Sequence, residues 1–198
     1  MLALWIILGI IVILLFIFWG TYNGLVRLRN QVKNAWAQID VQLKRRHDLI
    51  PNLVETVKGY MTHERGTLEA VTKARNLAQQ GASQPVGERS KLEGELSSAL
   101  ARLLVVVEQY PNLKANQNFL ALQEELTSTE NKISFSRQYY NDSVLNYNNK
   151  TQMFPSNVIA GMTGFKAETF FEVKAPEERE AVKVSFTPPP TPQPPPQQ

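Results

Sequence analysis

The sequence predicts an all-α protein: an N-terminal single-pass transmembrane helix, then an elongated antiparallel four-helix bundle, then an extended Pro-rich C-terminal tail. Three observations carry that expectation. Leu2 to Trp19 reads LALWIILGIIVILLFIFW, with no charge and no proline. Apolar residues then recur three and four positions apart through most of residues 22–154, the spacing of one helix stripe. Residues 184–198 hold seven prolines and no charge, a composition that cannot bury a core. The implied segments are an anchor over 2–19, a helical bundle over 22–165, an amphipathic, aromatic extension over 166–183 and a disordered tail over 184–198.

The anchor comes first in the chain and in the argument. A helix of that length covers about 27 Å, close to the ~30 Å hydrocarbon layer of a bilayer. Only a helix satisfies every backbone group of such a segment in lipid. Trp5 and Trp19 stand near its two ends, at the headgroup level that indole rings favour. A cleaved signal peptide fits poorly, because no Lys or Arg precedes the apolar run and Phe18 and Tyr22 occupy positions where a cleavage site needs small residues. Arg27, Arg29 and Lys33 follow the run closely, so the positive-inside rule places the amino terminus outside and the body in the cytoplasm. Residues 21–80 carry ten Lys/Arg against five Asp/Glu. Beside an anchor, that excess reads as attraction to anionic lipid headgroups, with no nucleic acid among the expected partners.

The periodicity divides the body into four helices. The first runs from about Tyr22 to His47, with Leu25, Leu28, Val32, Ala35 or Trp36, Ile39 and Leu43 on its stripe and Asp40 placed to pair with Lys44. The second is expected to open at Asp48, an N-cap with Pro51 in the first turn, and to continue to about Ala78 with a bend at Gly66. Ile50, Leu53, Val57, Met61, Leu68, Val71 and Ala78 keep one phase through it. Residues 80–89 form a loop; a third helix covers about Ser90 to Gln109 and stops at Tyr110-Pro111-Asn112. The fourth carries Phe119, Leu122, Leu126, Ile133, Tyr140, Val144 and Tyr147 and ends near Phe154-Pro155. Ser156 or Asn157 then caps a short apolar turn, Val158 to Met162, expected to pack on the bundle end or the membrane surface. Gly20 and Gly24 form a Gly-x-x-x-Gly spacing that permits close helix approach, or a flexible joint.

These residues resemble the LemA family of bacterial membrane proteins along nearly all of 1–182. The likeness rests on the uncharged anchor, YNGLVRLRNQVKNAWAQIDVQLKRRHDLIPNLVETVKGY (22–60), YPNLKANQNFLALQEELTSTENKISFSRQYYN (110–141) and FPSNVIAGMTGF (154–165). The proline tail lies outside the shared pattern. The resemblance implies an anchored helical bundle in a bacterial cell membrane and supplies no catalytic activity. Members are often encoded near membrane metalloproteases, which points toward membrane-protein quality control.

No residue emerges as catalytic, cofactor-binding or metal-ligating. The chain has no cysteine, so disulfides, thiolate metal sites and thiol nucleophiles are excluded. His63-Glu64 begins like a zinc-protease helix, but the second histidine would fall at Thr67, and His47 is the only other imidazole. Asp48, Glu55 and Glu64 lie near Arg45, Arg46, Lys58 and Arg65 and read as salt links on a helix surface rather than an acid–base pair. Asn141, Asn146, Asn148 and Asn149, interleaved with Tyr139, Tyr140 and Tyr147, read as interhelical hydrogen bonding and an exposed face more readily than as a carbohydrate or peptide contact surface. Trp36 reads as a core anchor. Two function classes remain. One is a membrane-anchored, non-enzymatic scaffold or adaptor whose helix faces hold copies of itself, a membrane protease or another membrane protein. The other is a hydrolase-like enzyme with a site of dispersed charges, which a buried cluster of convergent charged groups would favour.

Overall fold

A computed structural model describes residues 1–61 and 63–172. All regular structure among them is helical: α1 (Leu2–Lys58), α2 (Arg65–Gln80), a 3-10 turn (Gly81–Ser83), α3 (Val86–Val107), the single turn α4 (Pro111–Lys114), α5 (Gln117–Gln152) and α6 (Ser156–Thr163). The tail expected at 184–198 and most of the 166–183 extension lie outside the described residues.

One helix of 57 residues, about 85 Å of rise, replaces the anchor, the first expected helix and the start of the second. Its apolar end contains an 18-residue window of mean hydropathy 3.1, none of it buried. From Leu25 onward it buries Leu25, Val32, Ala35, Ile39 and Leu43, so Ala35 takes the seam and Trp36 sits half-buried beside it.

The expected helix start at Asp48 is not there. Pro51 lies inside α1, where its missing N–H leaves the carbonyl of His47 without an intrahelical donor. Arg75 of α2 supplies the donor instead, its Nε 3.2 Å from the His47 oxygen. A tertiary contact thus satisfies the group that would otherwise end the helix.

The reversal falls later, between the end of α1 at Lys58 and the start of α2 at Arg65. The amides of Tyr60 and Met61 both turn back onto the Val57 carbonyl, 2.9 and 3.0 Å away, and α2 then runs back along α1. The expected single helix over 48–78 is therefore two. Its apolar phase misled because Ile50, Leu53, Val57 and Met61 on one arm and Leu68, Val71 and Ala78 on the other face the same core.

After the 3-10 turn, α3 runs parallel to α1, pairing Arg89 with Asp40 and Glu93 with Arg46. Asp40 thus meets an arginine of α3 rather than the expected Lys44. The third helix begins at Val86 and ends at Val107, a few residues earlier at each end than the sequence predicted. Tyr110-Pro111-Asn112 opens α4 rather than a plain stop. Asn116 caps α5, its side-chain oxygen accepting from the Phe119 amide at 3.0 Å.

Helix α5 returns along α1 toward the apolar end. Two cores result. Distally, side chains of α1, α2, α3 and α5 share one cluster that includes Leu53, Leu68, Leu103 and Phe119. Proximally, α1 and α5 pack as a pair through Ile39, Leu43, Ile133, Tyr140, Val144 and Tyr147, with Phe171 laid over them. Helix α6 then seats Ile159 and Ala160 against Leu25. Neither Ser156 nor Asn157 caps it with a side chain. Gly164, at φ 75°, takes the left-handed conformation that ends it.

Candidate functional site

Two features could carry function: a buried charge cluster at the junction of the two cores, and an open apolar groove between α1 and α5.

The cluster grows from successive residues of α1. Arg46 and His47 are 1% and 5% exposed, and both turn toward α3. Arg46 Nη2 donates to Glu93 Oε2 at 2.6 Å, and Nη1 donates to Glu130 Oε2 of α5 at 2.7 Å and to Ser97 Oγ at 2.8 Å. His47 Nε2 stands 3.1 and 3.2 Å from the two carboxylate oxygens of Glu93. Burial pushes the Glu93 carboxyl up, but the His47 hydrogen bond and the charges of Arg46 and His47 outweigh it and hold the group below its usual range. A second buried arginine, Arg89, bonds Asp40 and, at 3.0 Å, the Ala82 carbonyl, with its guanidinium 5.1 Å from the Trp36 ring centre.

A cavity of about 340 Å³ opens beside this cluster, lined in part by Glu93, Ser97, Glu130, Arg137 and Phe171. The convergent buried charge that would favour an enzyme is thus present. Its chemistry is that of a lock, because Glu93 is claimed by both Arg46 and His47. Ser97 Oγ accepts from Arg46 and lies 3.4 Å from Glu130 as donor, while His47 bonds the opposite carboxylate.

The sequence hid this cluster for an identifiable reason. Arg46 falls between Leu43 and Ile50 on the buried stripe, and Arg89 and Glu93 precede Leu96 by seven and three residues on that of α3. Charged residues at stripe positions were the available signal.

The residues singled out from sequence fare differently. His63 is exposed in the 59–64 turn, outside any helix, and no group of three or more His, Cys, Asp or Glu stands together among the described residues. Glu55 pairs with Lys58 at 3.4 Å on the surface and Arg65 with Glu69 at 3.7 Å, while Asp48 is exposed. Arg45 reaches across to Glu125 of α5. Trp36 packs on Tyr140 and Phe171, ring centres 5.3 and 5.7 Å away.

Asn141 and Asn148 do not bond between helices. Each brackets the backbone of an extended segment that follows α6. Asn148 Nδ2 donates to the Glu168 carbonyl at 2.9 Å and its Oδ1 accepts from the Glu168 amide at 2.8 Å. Asn141 does the same with Phe171, at 3.2 and 2.9 Å. Seven helix residues rise about 10.5 Å and three extended residues about 10 Å, so the two brackets match in register. Tyr140 adds a third tie, donating to the Thr169 carbonyl at 2.9 Å. Burial and the nearby Glu168 charge push its phenol up to about 12.

The groove lies on the other face of the α1–α5 pair. It encloses about 1030 Å³ and is lined in part by Gln42, Gln123, Thr127 and Ser128. Val41, Leu120 and Phe135 stand in it 62%, 48% and 75% exposed. These side chains leave an open, partly apolar groove along the helix pair.

Fold and site together define an all-helical protein whose longest helix ends in an apolar segment compatible with membrane anchoring. The signature of the LemA family matches residues 35–186, well over half of the chain, and the chain belongs to that family. Protein LemA of Metamycoplasma hominis is 29% identical over 148 residues, covering 73% of this chain and 66% of that protein. Magnetosome protein MamQ 2 of Paramagnetospirillum magneticum is 25% identical over 177 residues, covering 77% of this chain and 65% of its own length. Magnetosome protein MamQ of Magnetospirillum gryphiswaldense matches at the same identity and coverage. The chain therefore spans about two thirds of the length of these relatives.

Proposed function

We propose that this chain is a membrane-tethered, non-enzymatic scaffold or adaptor. In this reading α1 crosses the bilayer with the amino terminus outside, the helical body stands in the cytoplasm, and the α1–α5 groove holds another membrane protein or a second copy. The distal half is read as an antiparallel four-helix bundle carried on a two-helix neck. One observation carries the proposal: the exposed apolar groove at Val41, Leu120 and Phe135 is built on the helix that continues into the apolar segment. A partner seated there would be held at a fixed height above the membrane. The resemblance fits this role to membrane-protein quality control beside a membrane protease. Self-association through Gly20 and Gly24, which have no atom within 4 Å of an added Cβ, is compatible with it.

A hydrolase-like enzyme is the second reading, favoured by the cavity beside Ser97 and Glu130. The pairing of Glu93 with both Arg46 and His47 counts against Glu93 as a general base.

A photo-crosslinking residue at Phe135, compared with one at Lys91 on the exposed side of α3, tests the proposal in native membranes. A discrete adduct from residue 135 alone, identified by mass as one membrane protein or a second copy, is expected. Equal, diffuse labelling from both positions contradicts a specific groove.

A further inference from the structure

The corner between α5 and α6 exposes Met153, Phe154, Val158 and Met162 to the extent of 64%, 83%, 54% and 75%. Phe154, Val158 and Met162 recur every four residues, while Ile159 and Ala160 on the other side of α6 are buried against Leu25. Four large apolar side chains within ten residues form a patch that a surface helix facing only water does not need.

Its height in the molecule is fixed by contacts with α1. Phe165 packs edge-on against Tyr22 with ring centres 5.8 Å apart, and Tyr22 stacks with Phe18 at 6.4 Å. The uncharged run ends at Trp19. From Trp19 to Leu25, α1 rises about 9 Å, comparable to the ~5–8 Å headgroup layer on each side of a bilayer.

The charges agree with that depth. Arg27, Arg29 and Lys33 follow the apolar run on α1, Lys150 stands near the end of α5 and Lys166 beyond α6, and neither 1–39 nor 143–167 contains Asp or Glu. Arg29 also lies over the Phe165 ring, 4.8 Å from its centre. Among the described residues Glu168, held at Asn148, is the one acid beside them, so an apolar face with an excess of cations around it has the chemistry of a helix lying in the interface of an anionic bilayer.

We propose that the α5–α6 corner is a second membrane contact, with Phe154, Val158 and Met162 seated in the headgroup layer beside the point where α1 leaves the bilayer. This rests on the reading that α1 spans the membrane. A two-point attachment fixes the tilt and rotation of the helical body, and so the direction in which the α1–α5 groove faces.

The chain has no cysteine, so single cysteines at Phe154, Met162, Ile11 and Glu124 can each carry an environment-sensitive fluorophore in the full chain. The protein is reconstituted in phosphatidylcholine–phosphatidylserine vesicles, and quenching by lipids bearing a nitroxide high on the acyl chain is measured. Probes at 154 and 162 are expected to shift to the blue and to be quenched severalfold more than the probe at 124. If they behave like position 124 while position 11 responds to lipid, the second contact is wrong and the anchor stands. Blue-shifted emission that lipid nitroxides do not quench, and that depends on the protein-to-lipid ratio, would show a second copy covering the patch and overturn the proposal. No lipid response at position 11 either would sink both readings.

Discussion

The His47 carbonyl and the Arg75 guanidinium meet at 3.2 Å across the α1–α2 hairpin, and that contact repairs the backbone bond that Pro51 cannot make. Arg75→Met should therefore leave a carbonyl unpaired and cost about 1–3 kcal/mol. Pro51→Ala restores an internal donor, so the same arginine substitution in that background should cost much less. The check is a double-mutant cycle on thermal unfolding in mild detergent. Additive effects would show that the two residues are not coupled.

The Arg46–Glu93 pair makes a sharper demand. Both side chains are almost fully buried, and Glu93→Gln leaves Arg46 with Glu130 as its one carboxylate partner, so it should destabilise by about 1–3 kcal/mol. The folded-state pKa of Glu93 lies below the ordinary 4.5, so its contribution is present above that value and is lost as pH falls through the folded pKa. The wild-type protein should lose stability on acidification below about pH 4.5 more steeply than Glu93→Gln. Parallel acid profiles would remove Glu93 from the account.

Asn141, Asn148 and Tyr140 should act together on the extended segment. Asn141→Ala/Asn148→Ala is expected to speed cleavage after Lys166 at least tenfold in limited proteolysis while helical circular dichroism stays unchanged. An unchanged cleavage rate would mean the brackets are incidental. Tyr140 adds an alkaline signature. Its folded pKa is raised from 10.0 to about 12, so its contribution is complete below pH 10 and lost as pH rises toward 12. Two units correspond to roughly 2–3 kcal/mol. Tyr140→Phe should flatten the stability profile across that window, and a profile as steep as the wild type would contradict this.

Topology is open to direct measurement. Cysteines introduced at Ala3 and Gln152 should be labelled by an impermeant maleimide on intact cells at residue 3 only. Labelling at residue 152 alone would reverse the orientation.

Much of the fold was legible because apolar spacing reports burial directly. The stripes from Leu25 to Leu43, Ile50 to Ala78 and Phe119 to Tyr147 all face cores. Where each helix ends was less legible. Pro51 carries a strong local preference for a helix start, and the distant Arg75 supplies the donor that the continuing helix lacks there. Gly59 marks the true reversal, but the stripe crosses it unbroken because both arms of the hairpin address one core. The charge cluster escaped notice because Arg46 and Glu93 are 47 residues apart and become partners only when α3 lies beside α1. Asn141 and Asn148 stood out by composition, yet their backbone partners at 168 and 171 carry no side-chain signature.

The most direct test of the scaffold reading is the effect of Val41→Asp/Phe135→Asp on the size of the native complex extracted from membranes in mild detergent. Both side chains are exposed, so the substitution should leave helicity and melting temperature nearly unchanged. The account predicts that the wild-type chain migrates in an assembly larger than its own monomer and that the double variant is released from it. Wild type and variant migrating identically would contradict the claim that the α1–α5 groove holds a partner.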